Sequence, residues 1–272
     1  MSMSINTNAG AMIALQNLSD TTRKLEMTQL RVTTGLKVSG PKDDAATFAI
    51  AQNMRGDIAG LGAVKTNLAL GLSVVNVAID AGKAIADLLT EMKAKAVQAS
   101  QEGLDSDSYR ALHEEFTSLR AQIETIVATA EFNGKNLIDS AATDMKVLST
   151  VDGSTIVVTK QSIDSTSLAI HTASLSDATV AATALTAISQ AIIDVSNALA
   201  SLGAGAKRVD IQFDFTGKLM DILKQGVGNL VDADLSQESA NLQAFQIKQQ
   251  LGVQALSIAN QGPQAILQLF NR

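Results

Sequence analysis

The chain has 272 residues, 46% hydrophobic but only 3% aromatic, with one Tyr, no Trp, no Cys, a formal net charge of −6 and a pI near 4.9. The absence of Cys excludes a disulfide framework and thiolate metal sites, and the acidic balance argues against a nucleic-acid partner, which would select a concentrated basic face. A core of Ala, Leu, Ile and Val with few rings suits closely spaced helices, and with Pro only at 41 and 263 long helices are allowed, each Pro reading as a break.

In chain order, the opening MSMSINTNAGAMIALQNLSD lacks a cationic stretch followed by an apolar run, so no secretory signal peptide is expected. No stretch reads as the eighteen or so apolar residues of a membrane span, so none is expected. Leu15, Leu18, Leu25, Val32 and Leu36 form a weak helical strip, diluted at Thr22 and Gln29. Asp43-Asp44 follows; two adjacent carboxylates read as an ion-paired connector or a helix N-terminus in preference to a cation site.

A second strip runs through Ile58, Leu61, Leu68, Leu72, Val75, Ile79, Ala86 and Leu89, interrupted at Lys65 and Gly82. Glycines at 56, 60, 62, 71 and 82 each weaken a helix by about 1 kcal/mol relative to Ala. Either they let neighbouring helices approach closely, or they let subunits slide between packing states; the sequence leaves both open. Asp105-Ser-Asp-Ser108 offers N-cap side chains to a third strip of Leu112, Phe116, Leu119, Ile123, Ile126 and Ala130, and Asn133-Gly134 beyond it predicts a left-handed C-cap or turn. His113 and His171 stand apart, with no ligand spacing, and read as solvated surface.

Between 136 and 176 the period changes. Met145, Val147 and Leu148, then Thr155 to Thr159 around Asp152-Gly153, predict a β-hairpin, and the Ser/Thr-rich QSIDSTSLAIHTASLSD reads as irregular surface. From Leu185 to Leu230 apolar residues then recur at steps of three and four: Leu185, Ile188, Ile192, Val195, Leu199, Leu202, Ala206, Val209, Phe213, Thr216, Met220, Leu223, Val227, Leu230. At about 1.5 Å per residue this single helix reaches roughly 69 Å and belongs to something elongated. Gly203 to Lys207 lacks phosphate-loop spacing and reads as a small-residue packing site.

The expected fold is mainly α: an elongated antiparallel helical bundle or coiled-coil rod with a small β-hairpin region and paired N- and C-terminal helices. Rod-core candidates are Leu68, Leu72, Val75, Leu119, Ile123, Ile192, Val195, Leu199 and Leu202. The expected division is 1–40 with 235–272 as terminal helices, 41–136 with 177–234 as the rod, and 137–176 as a small β and loop surface region. The terminal segments hold apolar residues around too much of their circumference for solvated helices, and such patches usually mark interfaces. These ends call for other copies of the chain, with ordering completed on assembly. No catalytic constellation, metal set or cofactor is expected.

At both ends the residues carry a resemblance. Ile5-Asn-Thr-Asn8, the run Arg31-Val-Thr-Thr-Gly-Leu-Lys-Val-Ser-Gly-Pro-Lys-Asp-Asp-Ala-Ala46, Phe132-Asn-Gly134 and the run from Leu251 to Phe270 resemble bacterial flagellin, in that family's order. The resemblance implies a self-assembling subunit of the helical flagellar filament used in swimming, its terminal helices lining the inner tube. It makes Ile5, Asn6, Leu15, Leu18, Leu25, Leu242, Phe245, Leu251, Leu256, Ile266, Leu267, Leu269 and Phe270 subunit-interface candidates. The segment Thr33 to Asp44, with Gly35, Gly40, Pro41, Lys42, Asp43 and Asp44, becomes the connector between tube and rod.

The resemblance further implies hook-associated and cap proteins as partners, an export chaperone at the C-terminal segment, and an extracellular filament exported by the flagellar type III apparatus. The patch that the mammalian Toll-like flagellin receptor contacts in the family departs here to Lys93, Ala94 and Lys95, losing a carboxylate and gaining a charge, which implies weak or absent receptor activation. Competing readings are a hook-filament junction protein of the same family, a signalling coiled-coil hairpin, which would need uninterrupted heptads in both arms, and a lipid-binding helical protein, which would need stronger amphipathic ends.

Overall fold

The computed structural model describes the backbone of residues 7–270 and the side chains of residues 7–261. Five helices and four short strands follow in order: α1 (Ala9–Thr34), α2 (Ala45–Ala99), α3 (Ser106–Thr129), β1 (Glu131–Phe132), β2 (Lys135–Asn136), β3 (Met145–Leu148), β4 (Thr155–Val158), α4 (Ala178–Val231) and α5 (Leu235–Phe270). The chain is mainly α. It divides into two compact units, one from residues up to 56 with those from 222 onward, the other from 57 to 221. These divisions fall inside α2 and α4, after the expected boundary at 40 and before the expected boundary at 235.

The 57–221 unit holds the main core. α2 contributes Leu68, Val75, Ile85, Leu89 and Met92, α3 contributes Phe116, Ile123 and Val127, and α4 contributes Ile188, Val195, Leu202 and Val209, all buried in one cluster. Leu72, Leu119, Ile192 and Leu199 pack against it, half-buried. Two interruptions of the seams have structural uses. Lys65 lays its ammonium 4.8 Å from the centroid of the Phe213 ring, so the one cation in this part of the α2 seam meets an aromatic face of α4. Thr216, buried at an apolar position of the α4 heptads, closes its hydroxyl onto the Gln212 carbonyl one turn back at 2.8 Å.

The hairpin β3–β4 is antiparallel, Met145 opposite Val158 and Val147 opposite Ile156, and it turns Met145, Val147 and Val158 inward. Its valines seat where helices lack side chains. A Cβ placed on Gly71 of α2 would lie 2.7 Å from Val147 Cγ2, and one on Gly205 of α4 would lie 2.9 Å from Val158 Cγ1. Gly60 receives Val151 from the loop between the strands and Gly82 receives Leu199 of α4 in the same way. Four helical glycines are therefore occupied by close intrachain packing, chiefly of the hairpin on the helices rather than of helix on helix.

Other local signals read as expected. Asp105 Oδ1 accepts from the Ser108 amide at 2.8 Å as the N-cap of α3. Asn133 and Gly134, both at positive φ, are the two-residue loop of the β1–β2 hairpin, the geometry a type I′ turn demands.

Four expectations need correction. The stretch from 161 to 177 is irregular but not surface: Ile163, Asp164, Ser165, Leu168, Ile170 and Leu175 are buried, anchored in part by Glu124 Oε1 accepting from the Ser165 amide and by the Arg120 guanidinium donating to the carbonyls of His171 and Ala173. Its apolar residues are spaced for neither helix nor strand, so periodicity could not reveal them. Within it the Leu175 amide donates to His113 Nδ1 at 3.2 Å, which ties down a histidine read as solvated. Next, α2 and α4 each contain an eighteen-residue stretch long and apolar enough, by length and composition alone, to cross a bilayer, where none was expected. Both helices nevertheless bury one seam in the core, through Leu68, Val75 and Ile85 in one and Ile188, Val195 and Leu202 in the other. Finally, α5 runs through Pro263 without ending there.

Candidate subunit interface and connector

The unit formed by the chain ends is built on α1 and α5, which run antiparallel, with Leu18 against Gly252, Thr22 opposite Gln249 and Arg31 opposite Glu238. A Cβ on Gly252 would stand 3.1 Å from Leu18 Cδ1 and 3.9 Å from Leu18 Cα, so the two helices approach closely at that level. Gln249 Nε2 reaches Thr22 Oγ1 at 3.5 Å, and the Arg31 guanidinium donates to Glu238 Oε1 at 3.1 Å, with the carboxylate side chain only 12% exposed.

Helical spacing decides which apolar residues enter this seam. On α1 the half-buried or buried positions include Ala14, Leu18, Thr21, Leu25, Thr28 and Val32; on α5 they include Leu242, Phe245, Gln249, Gly252 and Leu256. Both sets step by three and four, the signature of one helix lying along another. The seam thus passes through Thr28 rather than the expected Gln29, which is exposed. It takes Leu18, Leu25, Leu242, Phe245 and Leu256 from the interface candidates. Leu15 and Leu251 lie off it, 57% and 56% exposed. Ile5 and Asn6, and the side chains of Ile266, Leu267, Leu269 and Phe270, lie outside the described residues.

Around Leu15 and Leu251 the outward faces carry more apolar side chains: Met12, Ile13, Met27 and Leu30 on α1, and Ile247, Val253 and Ile258 on α5. The α1 four escape sequence reasoning because they sit off the register of Leu15, Leu18 and Leu25. The adjacent pair Met12-Ile13 was the available signal, since neighbours in a helix point about 100° apart and cannot share one narrow seam.

The connector is held by backbone and carboxylates together. Gly35 takes the left-handed conformation (φ 71°) that ends α1, its amide donating to the Arg31 carbonyl at 2.9 Å. Lys37 donates to the Val231 carbonyl at 2.7 Å and Ala233 donates back to Gly35 at 2.9 Å, so the strand leaving α1 pairs with the junction between α4 and α5. Gly40, Pro41, Lys42 and Asp43 form a turn closed by the Asp43 amide on the Gly40 carbonyl at 3.1 Å, with Pro in the second position that suits its fixed φ.

Asp43 Oδ2 accepts from the Ser39 amide and hydroxyl and from the Gly40 amide, while Asp44 caps α2 by accepting from the Ala46 and Thr47 amides and the Thr47 hydroxyl. Hydrogen bonds from Ser39 first and from Gly40 hold the Asp43 carboxyl below the ordinary carboxylate value, and those from Thr47 do the same for Asp44. Each carboxylate is engaged by the chain's own donors, the helix N-terminus reading of this pair. Among the described residues no group of three or more His, Cys, Asp or Glu is placed to hold a metal.

In the Lys93, Ala94, Lys95 patch, Ala94 is exposed and Lys95 forms an ion pair with Glu115 of α3.

Comparison with known proteins finds a family match. Its models, described as the bacterial flagellin N-terminal helical region and C-terminal helical region, match residues 5–143 and 185–270. The flagellin FljK of Caulobacter vibrioides is 47% identical over 268 residues, covering 98% of each chain, and a flagellin of Brucella melitensis is 37% identical over 280 residues, covering 98% of this chain and 99% of its own. The crystal structure of Bacillus cereus flagellin superposes with a TM-score of 0.51 at 23% identity, over 55% of this chain and 88% of that one, a likeness of fold.

Proposed function

The chain belongs to the bacterial flagellin family, a structural subunit of the flagellar filament and not an enzyme, and from that premise we propose how its parts divide the work of assembly. The 57–221 unit folds on its own seam. The α1–α5 pair joins copies by burying its outward apolar faces, Met12, Ile13, Leu15, Met27 and Leu30 with Ile247, Leu251, Val253 and Ile258, against neighbouring subunits. Ordering of the chain ends is completed by that burial, which offsets its conformational entropy.

The observation that carries this reading is the contrast along α1 and α5: one face is used within the chain, and a second, equally apolar face is left exposed. An extracellular filament, export through the flagellar type III apparatus, a chaperone holding α5 before assembly, and hook-associated and cap proteins at the filament ends accompany the reading. So does weak activation of the Toll-like flagellin receptor, supported by a lysine already paired with Glu115 where the family carries an apolar contact.

Purified chain added to short filament fragments tests the reading. Long filaments support it, and none from competent seeds contradicts it. Full-strength signalling by purified monomer in receptor reporter cells would overturn the receptor part alone.

A further inference from the structure

Helix α5 passes through Pro263, which has no amide hydrogen. In an uninterrupted helix the amide of residue 263 would donate to the carbonyl of residue 259. The carbonyl of Ala259 therefore lacks the i+4 donor that an uninterrupted helix would supply, and such a group is costly unless another donor reaches it. One does: Asn8 Nδ2 donates to the Ala259 carbonyl at 2.7 Å across 251 residues of sequence. The same side chain caps α1, its Oδ1 accepting from the Ala11 amide at 3.1 Å.

These two contacts fix which way the amide points, since a backbone N–H needs the oxygen and a backbone carbonyl needs the nitrogen. They also need an amide, because Ser, Thr or Asp caps a helix as well but does not combine a cap acceptor with a second, outward-reaching pair of donors.

We propose that Asn8 and Pro263 form a register clasp, in which the proline leaves one carbonyl of α5 open and Asn8, fixed at the head of α1, bonds that carbonyl and no other. The apolar seam between α1 and α5 does not specify its own alignment strongly. The three-four spacing by itself allows α5 to slide by seven residues, as in any heptad pairing, losing only the fit of Gly252 against Leu18. Such a slide would bring Asn8 to a carbonyl already bonded within α5. Arg31 with Glu238 marks the connector end of the pair, and the clasp marks the other. It forms only when α1 and α5 are docked, so it rests on the reading of these helices as the part that assembles.

The experiment uses the full chain and four forms: wild type, Asn8→Asp, Pro263→Ala and the double variant. Aspartate keeps the cap of α1 and removes the donor. Alanine at 263 restores the amide hydrogen that serves Ala259, making the Asn8 donation redundant. With wild-type filament fragments as seeds, Asn8→Asp raises the critical concentration about fivefold, the worth of one net hydrogen bond. In the Pro263→Ala background the same change alters it less than about twofold. A variant that fails to elongate counts as raised, and its rescue by Pro263→Ala then decides.

Hydrogen exchange of peptides 9–20 and 250–261 provides a readout independent of assembly: faster exchange in Asn8→Asp, reversed by Pro263→Ala. Asn8→Asp indistinguishable from wild type, or an effect undiminished in the double variant, overturns the clasp. Failure of the wild-type chain to elongate overturns the assembly reading instead and leaves the exchange result to judge the clasp.

Discussion

In the 57–221 unit Leu68, Ile85, Phe116, Ile123, Ile188 and Val195 have no exposed surface at all, whereas among the described residues of α1 the buried side chain is Thr28 and α5 buries none fully. The two regions use similar residue types and the same three-four spacing. They differ in how much of each helix's circumference the chain itself covers. α2, α3 and α4 share one core with a hairpin and a loop closing it, while α1 and α5 pair chiefly with each other. A pair of helices can bury one stripe per helix, so the further apolar residues described on them, such as Ile13, Leu15, Leu251 and Ile258, face outward. The folded core and the exposed apolar surface proposed for assembly are thus set by the number of neighbours rather than by a change in chemistry.

The strongest way to break this comparison is to remove one side of it. Deleting residues 236–272 is expected to abolish filament growth completely while leaving the cooperative thermal transition of the 57–221 unit by circular dichroism. Filaments from the truncated chain would end the division of labour.

Phe116→Ala is expected to act the other way, destabilising the 57–221 unit by about 3 to 5 kcal/mol in urea titration because the ring leaves a cavity in a closed core. Gly71→Ala puts a Cβ 2.7 Å from Val147 and is expected to cost about 1 to 3 kcal/mol, with Val147→Ala recovering part of the loss in the double variant, as close packing of the hairpin requires. If Gly71→Ala left stability alone and changed only filament shape, the glycine would belong to subunit sliding.

Leu251→Gln and Ile258→Gln, on the outward face of α5, are expected to leave unfolding of the 57–221 unit unchanged while raising the critical concentration for elongation several-fold.

The smallest effect is at the connector. Asp43 and Asp44 have folded pKa values below their unfolded ones, so their stabilisation is present above the ordinary carboxylate value near pH 4 and lost as pH falls through the depressed folded values. Asp43→Asn is expected to flatten the acid limb of a melting-temperature profile slightly below pH 4 and to leave that slope unaltered at neutral pH.

Long periodic helices were legible because each residue repeats the same demand. The seam from Leu185 to Leu230 lies within α4, Asp105 caps α3, and Asp152-Gly153 sits in the loop between β3 and β4. Contacts made once were not legible. The burial of Ile163, Leu168, Ile170 and Leu175 steps by five, two and five, matching neither helix nor strand, and the seating of Val147 at Gly71 joins residues whose spacing carries no message. Pro263 misled because a local rule, that Pro ends helices, was answered by a side chain at the opposite end of the chain. The interface candidates were identified as apolar, but the sequence could not sort Leu18, turned toward α5, from Leu15, three residues away and exposed, because that requires knowing where the partner helix lies.

The most direct test is hydrogen exchange on the soluble chain and on the filament, followed by peptide mass spectrometry. The account predicts strong protection of peptides from 57–221 in both states, and weak protection of α1 and α5 in the soluble chain that rises by orders of magnitude in the filament. Equal protection of α1 and α5 in the two states would contradict it.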